Sequence, residues 1–349
     1  MDDSPPQIPR RRKRYSGKNP RRFEDKYKEL DPVKHAETIA KVIESGKTPA
    51  GMHLPVLVDE CLEALQLEPG LKGVDATLGF GGHATEILSR ICPGGLLLGL
   101  DIDPIEQPKT EARLREAGYS EETFKAIRSN YAGIRKVLDA QALDTVDFVF
   151  ADLGCSSMQI DDPRRGFTWK SDGPLDMRMN PGRGIPASEW LEKVKPDKLA
   201  AVLIENADEP LAESIAAALA GKSVTTTKAL SRMVRALPEL AKLQEERADL
   251  TVRRVFQAIR IAVNEEFAAL DSFLRMLPAC LKDGGRVAIL TFHSGEDRRV
   301  KKSFQAGLKD GIWSAVSDAV IVAGNDERRS NPRSTPAKLR WAVKAPSSS

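Results

Sequence analysis

The stretch "VDATLGFGGHATEIL", residues 74–88, constrains the fold more than any other part of the chain. An apolar strand runs into a glycine-rich turn, and the turn runs into a helical pattern. A chain built this way presents backbone N–H groups to a nucleotide-like ligand beyond the end of a strand. "GFGGHA" satisfies G-x-G-x-x-[G/A], with Gly79, Gly81 and Ala84 in the three slots. It lacks the Gly-Lys-Ser/Thr ending of a P-loop, which argues against a triphosphate. A lone glycine turn is weak evidence, so the remaining strands have to identify the ligand.

They continue the same alternation. "GVDAT", "GLLLGLDID", "FKAIRSN" and "VDFVFADLG" read as four strands, separated by helical stretches such as "HATEILSRI" and "YAGIRKVLDAQ". Continuous apolar runs of this kind belong to a parallel sheet buried on both faces. After "CSSMQIDD", read as a loop, the alternation stops. Residues 159–250 read as loop and then helix, with no convincing strand. The pattern resumes with "RRVFQAIRIAVNEEFAALDSFLRML", read as one long helix. A fifth strand "GGRVAILTFHS", a helix "GEDRRVKKSFQ" and an antiparallel "KLRWAVK" follow. The expectation is an open α/β sheet carrying a mostly helical insertion after strand four.

Composition narrows the setting. At 349 residues, 41% hydrophobic and 30% charged, the chain can bury a large core, and no apolar run reaches the roughly 20 residues of a membrane span. Cys61, Cys92, Cys155 and Cys280 are far apart and lack C-x-x-C spacing. That speaks against structural zinc and a disulfide framework and fits a reducing compartment. The net charge is only +3, yet residues 10–28 hold ten Lys/Arg against two acids, with Tyr15, Phe23 and Tyr27 between them. Such an arm suits phosphates and unstacked bases; a solubilising tail is the plainer reading. Asp2, Asp3, Glu24 and Asp25 make a poor transit peptide, so a bacterial cytoplasm is the expected location.

Strand ends should carry the chemistry. Strand two ends at Asp101, with Asp103 two residues on; an acid there can accept bonds from both ribose hydroxyls, in NAD enzymes and methyltransferases alike. Strand four ends at Asp152, where amino-methyltransferases place a polar residue against the accepting nitrogen. At this point a resemblance becomes specific. "HLPVLVDE", "DATLGFGGHATEIL", "DLGCSSMQIDDPRRGFTWKSDGPLDMRMNP", "RRVFQAIRIAVNEE", "GGRVAILTFHSGEDRRVKK" and "NPRS" occur in the order of the RsmH (MraW) family, and the chain resembles it over roughly residues 52–344.

The resemblance implies a class I methyltransferase fold, Rossmann-like with a mostly parallel sheet and an inserted mostly helical domain. It implies S-adenosylmethionine as cofactor and the exocyclic N4 of a cytidine in small-subunit ribosomal RNA as substrate, in an assembled or nearly assembled subunit, with a homodimer left open. The expected division is a basic arm and linker at 1–50, a methyltransferase core at 51–160 and 251–345, and a substrate-recognition insertion at 161–250. The cofactor contacts carried over are Gly81, Gly82, His83, Asp101, Tyr131, Asp152 and Gln159. Phe80 departs from the family, which often has a basic residue there, and "ENADEPLAESIAAAL" replaces a usual tyrosine-glycine-glutamate-glutamate segment. No metal is expected.

N4 of cytidine is a poor nucleophile because its lone pair is delocalised into the ring. Positioning and a proton acceptor supply the gain, and Asp152 is the catalytic candidate; its plainer reading is that it only orients the cofactor. Asp176, Arg178, His293 and Ser294 are candidates to grip the extruded base and its phosphates, against the plainer reading of caps and loop pins. The run 298–302, "RRVKK", is either a solvated helix face or a phosphate contact. Cys155 invites a rival reading as the nucleophile of a C5 methyltransferase, but no adjacent base or Pro-Cys motif supports it. An NAD oxidoreductase and a non-catalytic RNA assembly factor are the other rivals.

Overall fold

Leu97, Leu98 and Leu100 of the second strand and Val149, Phe150 and Ala151 of the fourth are almost wholly buried, so these strands can sit only inside a sheet covered on both faces. In the computed structural model, which describes residues 55–241 and 244–347, they do. The strands are β1 (Lys72–Asp75), β2 (Leu96–Asp101), β3 (Phe124–Arg128), β4 (Val146–Asp152), β5 (Leu281–Thr291), β6 (Trp313–Val316), β7 (Ile321–Val322) and β8 (Lys338–Lys344). They pair in the order β3-β2-β1-β4-β5-β8-β6, with β7 beside β8. The first five are parallel, and β8 runs antiparallel to β5, β6 and β7. This is the class I methyltransferase arrangement.

The register fixes where a ligand can bind. Val74 lies opposite Leu98 on one side and Val149 on the other. The strand order therefore reverses between β1 and β4, and a crevice opens beyond their carboxyl ends. Asp75, Asp101 and Asp152, the last residues of β1, β2 and β4, end at that crevice.

Between β4 and β5 the helices Ala187–Lys193, Pro196–Ala207, Ala212–Leu219, Thr227–Arg235, Pro238–Ala241 and Glu245–Val263 gather around one apolar cluster, which includes Leu191, Leu203, Ile215, Leu230 and Val255. The pairing between Pro174 and Thr226 is a single bridge. The expected boundary at 250/251 falls inside the helix Glu245–Val263, whose Val252, Val255, Phe256 and Ile259 pack into the insertion's cluster. The described residues form one contact unit.

Three expectations need correction. The long helix is two helices, Glu245–Val263 and Glu266–Cys280. Asn264 ends the first: its side chain donates to the Arg260 carbonyl and is otherwise bound to the 177–179 loop. Glu265 then takes a left-handed conformation, φ 52°. The "CSSMQIDD" loop contains the helical turn Ser157–Asp161, begun by a capping box in which Ser156 Oγ accepts from Gln159 N–H and Gln159 Oε1 accepts from Ser156 N–H. The Ser-x-x-Gln signature was legible. β6 and β7, of four and two residues, are too short to leave a periodic signal. The basic arm, its linker and the expected helix "VKHAETIAKVIES" lie outside the described residues.

The helix break is testable by sign. Glu265 is exposed and left-handed, where a residue with a Cβ is strained by about 1 kcal/mol. Glu265→Gly should leave stability to urea unchanged or raise it by up to about 1 kcal/mol, because relief of strain offsets the added freedom of the unfolded chain. A continuous helix would instead lose about 0.5–1 kcal/mol to a mid-helix glycine.

Candidate active site

The glycine turn is held from below by the second strand. Gly79 N–H donates to Asp101 Oδ2 at 2.8 Å, and Thr110 Oγ1 donates to the Gly79 carbonyl at 2.6 Å. Gly81 caps the helix Gly82–Ile91 at φ 84°, and a Cβ there would come within 2.8 Å of the Thr110 methyl. Glycine is thus required at 81 by backbone conformation and by the neighbouring helix. At Gly82 a Cβ would touch the Pro55 ring at 3.2 Å. Arg113 stacks 3.7 Å from the Phe80 ring centroid, so a cation stands beside the position where the family often has one.

Three carboxyl groups meet at the strand ends. Asp75 is 1% exposed, and burial is the main force raising its pKa to about 7, with Asp101 adding to it. Asp101 accepts from Gly79 and Asp103 N–H, yet burial still lifts it to about 6. Each of its oxygens keeps a lone pair for a further donor. Asp152 is raised to about 8, by burial first and then by Asp75 and Glu296. Its N–H donates to Thr77 Oγ1 at 2.6 Å, and Thr77 N–H donates to Asp75 Oδ1 at 3.0 Å, so one threonine registers both acids. Among the described residues no Lys or Arg forms an ion pair with any of the three.

His83 completes the group. Its Nε2 lies 2.9 Å from the Val56 carbonyl, which can only accept, so the proton is assigned to Nε2. Burial lowers its pKa to about 4, and the ring is neutral near pH 7. Nδ1 then offers a lone pair to Asp152 Oδ2 at 3.5 Å, a contact that favours the protonated acid. A pocket of buried acids short of cations suits a cofactor that bears a sulfonium and an ammonium group. The donor set fits S-adenosylmethionine.

The other expected residues divide. Tyr131 follows β3; its ring meets Phe273 edge-on, its hydroxyl donates to the Glu266 carbonyl at 3.3 Å, and burial pushes the phenol up. Gln159 spends its amide inside the fold, donating to Asp103 Oδ2 at 2.6 Å. Asp176 and Arg178 form a two-pronged ion pair with each other, which holds Asp176 below its ordinary range. His293 caps the helix Ser294–Lys309 and lies 3.1 Å from buried Glu296. Ser294 donates to Asp208 at 3.0 Å. Arg298 also reaches Asp208, and Arg299 reaches Glu205, so this helix grips the insertion, while Lys301 and Lys302 stay exposed. Asp176, Arg178, His293 and Ser294 therefore all have partners within the fold. Burial pushes the Cys155 thiol up to about 12, which leaves almost no thiolate near neutrality.

The sequence reading missed Asp75, Thr77 and Arg165. The first two sit in "VDAT", and an acid closing the first strand was a usable signal. Arg165, 7% exposed, gave none, because "PRRG" reads as surface charge. Among the described residues, no group of three His, Cys, Asp or Glu is placed to hold a metal ion, and no helix is long and apolar enough to cross a membrane.

Comparison with known proteins gives consistent matches. The model of the MraW methylase family matches residues 50–345. "Ribosomal RNA small subunit methyltransferase H 1" of Lachnoclostridium phytofermentans is 49% identical over 347 residues, covering 97% of this chain and 94% of that protein. "Ribosomal RNA small subunit methyltransferase H 2" of Alkaliphilus metalliredigens is 46% identical, covering 96% and 97%. The protein named "Ribosomal RNA small subunit methyltransferase H" in Acidobacterium capsulatum is 35% identical, covering 84% and 98%.

The raised acids make the cofactor-free protein sensitive to alkali. Asp75 and Asp152 hold protons in the folded state up to about pH 7 and about pH 8, whereas the unfolded carboxyls ionise near 3.8. Their stabilising contribution is present in acid and is lost as pH rises through those values. The lowered pKa of His83 acts oppositely, but only below about 6.5. Urea midpoints should therefore fall between about pH 6.5 and 8, and Asp152→Asn should flatten the slope. A midpoint that rises over this range would contradict the protonation scheme.

Proposed function

Because the chain belongs to the MraW methylase family, we propose that it is an S-adenosylmethionine-dependent methyltransferase acting on the exocyclic N4 of a cytidine in small-subunit ribosomal RNA. The observation that carries the reading is Asp152: a carboxyl at the tip of β4, 30% exposed, registered by Thr77 and backed by Asp75 and His83. S-adenosylmethionine, when bound, supplies an electrophilic methyl group on a positively charged sulfur.

The protein's residues then have distinct tasks. Asp101 uses its remaining lone pairs for the ribose hydroxyls, which its two backbone bonds leave free. Gly81 and Gly82 bring backbone close to the amino-acid end, and Tyr131 offers an aromatic face to the adenine. A positive group beside Asp152 favours its carboxylate form, the form that can accept a proton. N4 becomes strongly acidic as its lone pair is used, so the carboxylate takes the proton as the bond to carbon forms. Cys155 has no part in this, and its high pKa disfavours the C5 reading.

The insertion, with its own apolar cluster and exposed basic residues such as Arg232, Arg247 and Arg253, is the proposed RNA-recognition part. An assembled or nearly assembled subunit is the proposed form of the substrate, and the cytoplasm the proposed place of action. Asp176, Arg178, His293 and Ser294 remain the residues proposed to grip the extruded base and its phosphates.

Mass mapping of small-subunit ribosomal RNA from a strain lacking the gene, before and after treatment with the protein, tests the reading. One cytidine should gain a methyl group on N4; a C5 product, or none, would overturn it. Asp152→Asn should lower the single-turnover rate at saturating cofactor by about 10²- to 10⁴-fold, as loss of a general base does. Recovery of the rate by saturation would make Asp152 a cofactor ligand only. Asp101→Ala should weaken cofactor binding by about 1.5–3 kcal/mol, measured by calorimetry.

A further inference from the structure

The least exposed ion pair in the described fold joins Asp103, 0% exposed, to Arg165, whose side chain is 8% exposed. Their bonds run from Asp101, at the strand end, to the loop of the insertion. Asp103 N–H donates to Asp101 Oδ1 at 2.8 Å. Asp103 Oδ2 accepts from Gln159 Nε2 at 2.6 Å and from Arg165 Nη1 at 2.8 Å. Arg165 Nη2 donates to the carbonyls of Arg178 at 3.2 Å and Met179 at 2.8 Å, and the Arg165 carbonyl accepts from Met177 N–H at 3.0 Å. Asn264 closes the loop from the other side, accepting from Met179 N–H and donating to the Met177 carbonyl. Met177 meanwhile sits at φ 62°, a conformation that must be held by its surroundings.

We infer that Arg165 is a positioning residue for methyl transfer: it registers the loop 177–179 of the insertion against Asp101, the carboxylate assigned to the cofactor's ribose. The inference rests on the proposed methyltransferase reading for its rate consequence, but its geometric half stands on these contacts alone. A guanidinium is suited to the task because its fork spans two elements at once. A lysine can neutralise Asp103, but its single ammonium lacks the fork that gives one nitrogen to the carboxylate and another to the carbonyls. A buried charge that loses its partner is costly, so the pair also resists drift of one element past the other. Misplacement by about 1 Å at a reacting centre costs about 10²-fold in rate, which is the scale at stake.

The test compares wild type, Arg165→Lys and Asp103→Asn. Calorimetry reads cofactor affinity, single-turnover methylation reads the rate at saturating cofactor and RNA, and amide exchange reads Met177 and Met179. Arg165→Lys keeps a cation beside Asp103 and should fold. It should hold cofactor affinity within about threefold, lose about 10- to 100-fold in the saturated rate, and exchange the two loop amides faster. Asp103→Asn, which removes the charge but keeps the shape, should change the loop amides in the same direction. A wild-type rate and unchanged loop exchange in Arg165→Lys would overturn the inference. So would a loss confined to cofactor affinity and restored by saturation. If the wild-type protein methylates no RNA, the proposed function fails, and the exchange measurement still decides whether Arg165 holds the loop.

Discussion

Burying carboxyl groups side by side without a cation is unfavourable, and the rest of the site is arranged around three of them. The sheet order leaves no alternative. With β1 between β2 and β4, the last residues of all three strands converge, and all three are aspartates. Each answers the conflict differently. Asp101 takes two backbone N–H groups, Asp75 takes the Thr77 amide, and Asp152 faces a neutral histidine and keeps its proton. A cationic cofactor relieves all three at once, which turns an electrostatic cost into selectivity for positive charge. The same relief would leave Asp152 as the carboxylate, the form that its proposed role as proton acceptor requires.

The insertion is tied to this centre by polar contacts as well as by apolar packing. Its helices have their own cluster, and the links to the strand ends are Asp103–Arg165, Gln159–Asp103 and Asn264 with the 177–179 loop. On the far side, Ser294, Arg298 and Arg299 hold Asp208 and Glu205. Asp176, Arg178, His293 and Ser294, proposed to grip the substrate, also have partners within the fold. A fixed loop is what positioning requires.

Much of the fold was legible because long elements carry strong periodic signals. The five parallel strands, β8, the glycine turn and the helical character of the insertion all follow from apolar runs and spacing. The helix break at Asn264–Glu265 was not read, since apolar spacing carries across a kink, although an asparagine closing the first run is a usable stop signal. The site was half legible. Asp101 and Asp152 announce themselves by ending strands, whereas Arg165 becomes meaningful only once folding brings it to Asp103, 62 residues away in sequence. Asp176 and Arg178, two residues apart, pair with each other through a local contact within one loop.

In the proposed mechanism, Asp152 holds a proton in the cofactor-free protein and gives it up when positive charge arrives. Calorimetric titration with S-adenosylmethionine at pH 7.5, repeated in buffers of different ionisation enthalpy, counts that proton directly. Asp152 near 8 and Asp75 near 7 predict a net release of about one proton per site, reduced to a fraction of that in Asp152→Asn. Binding with no proton released, or with protons taken up, would contradict the account.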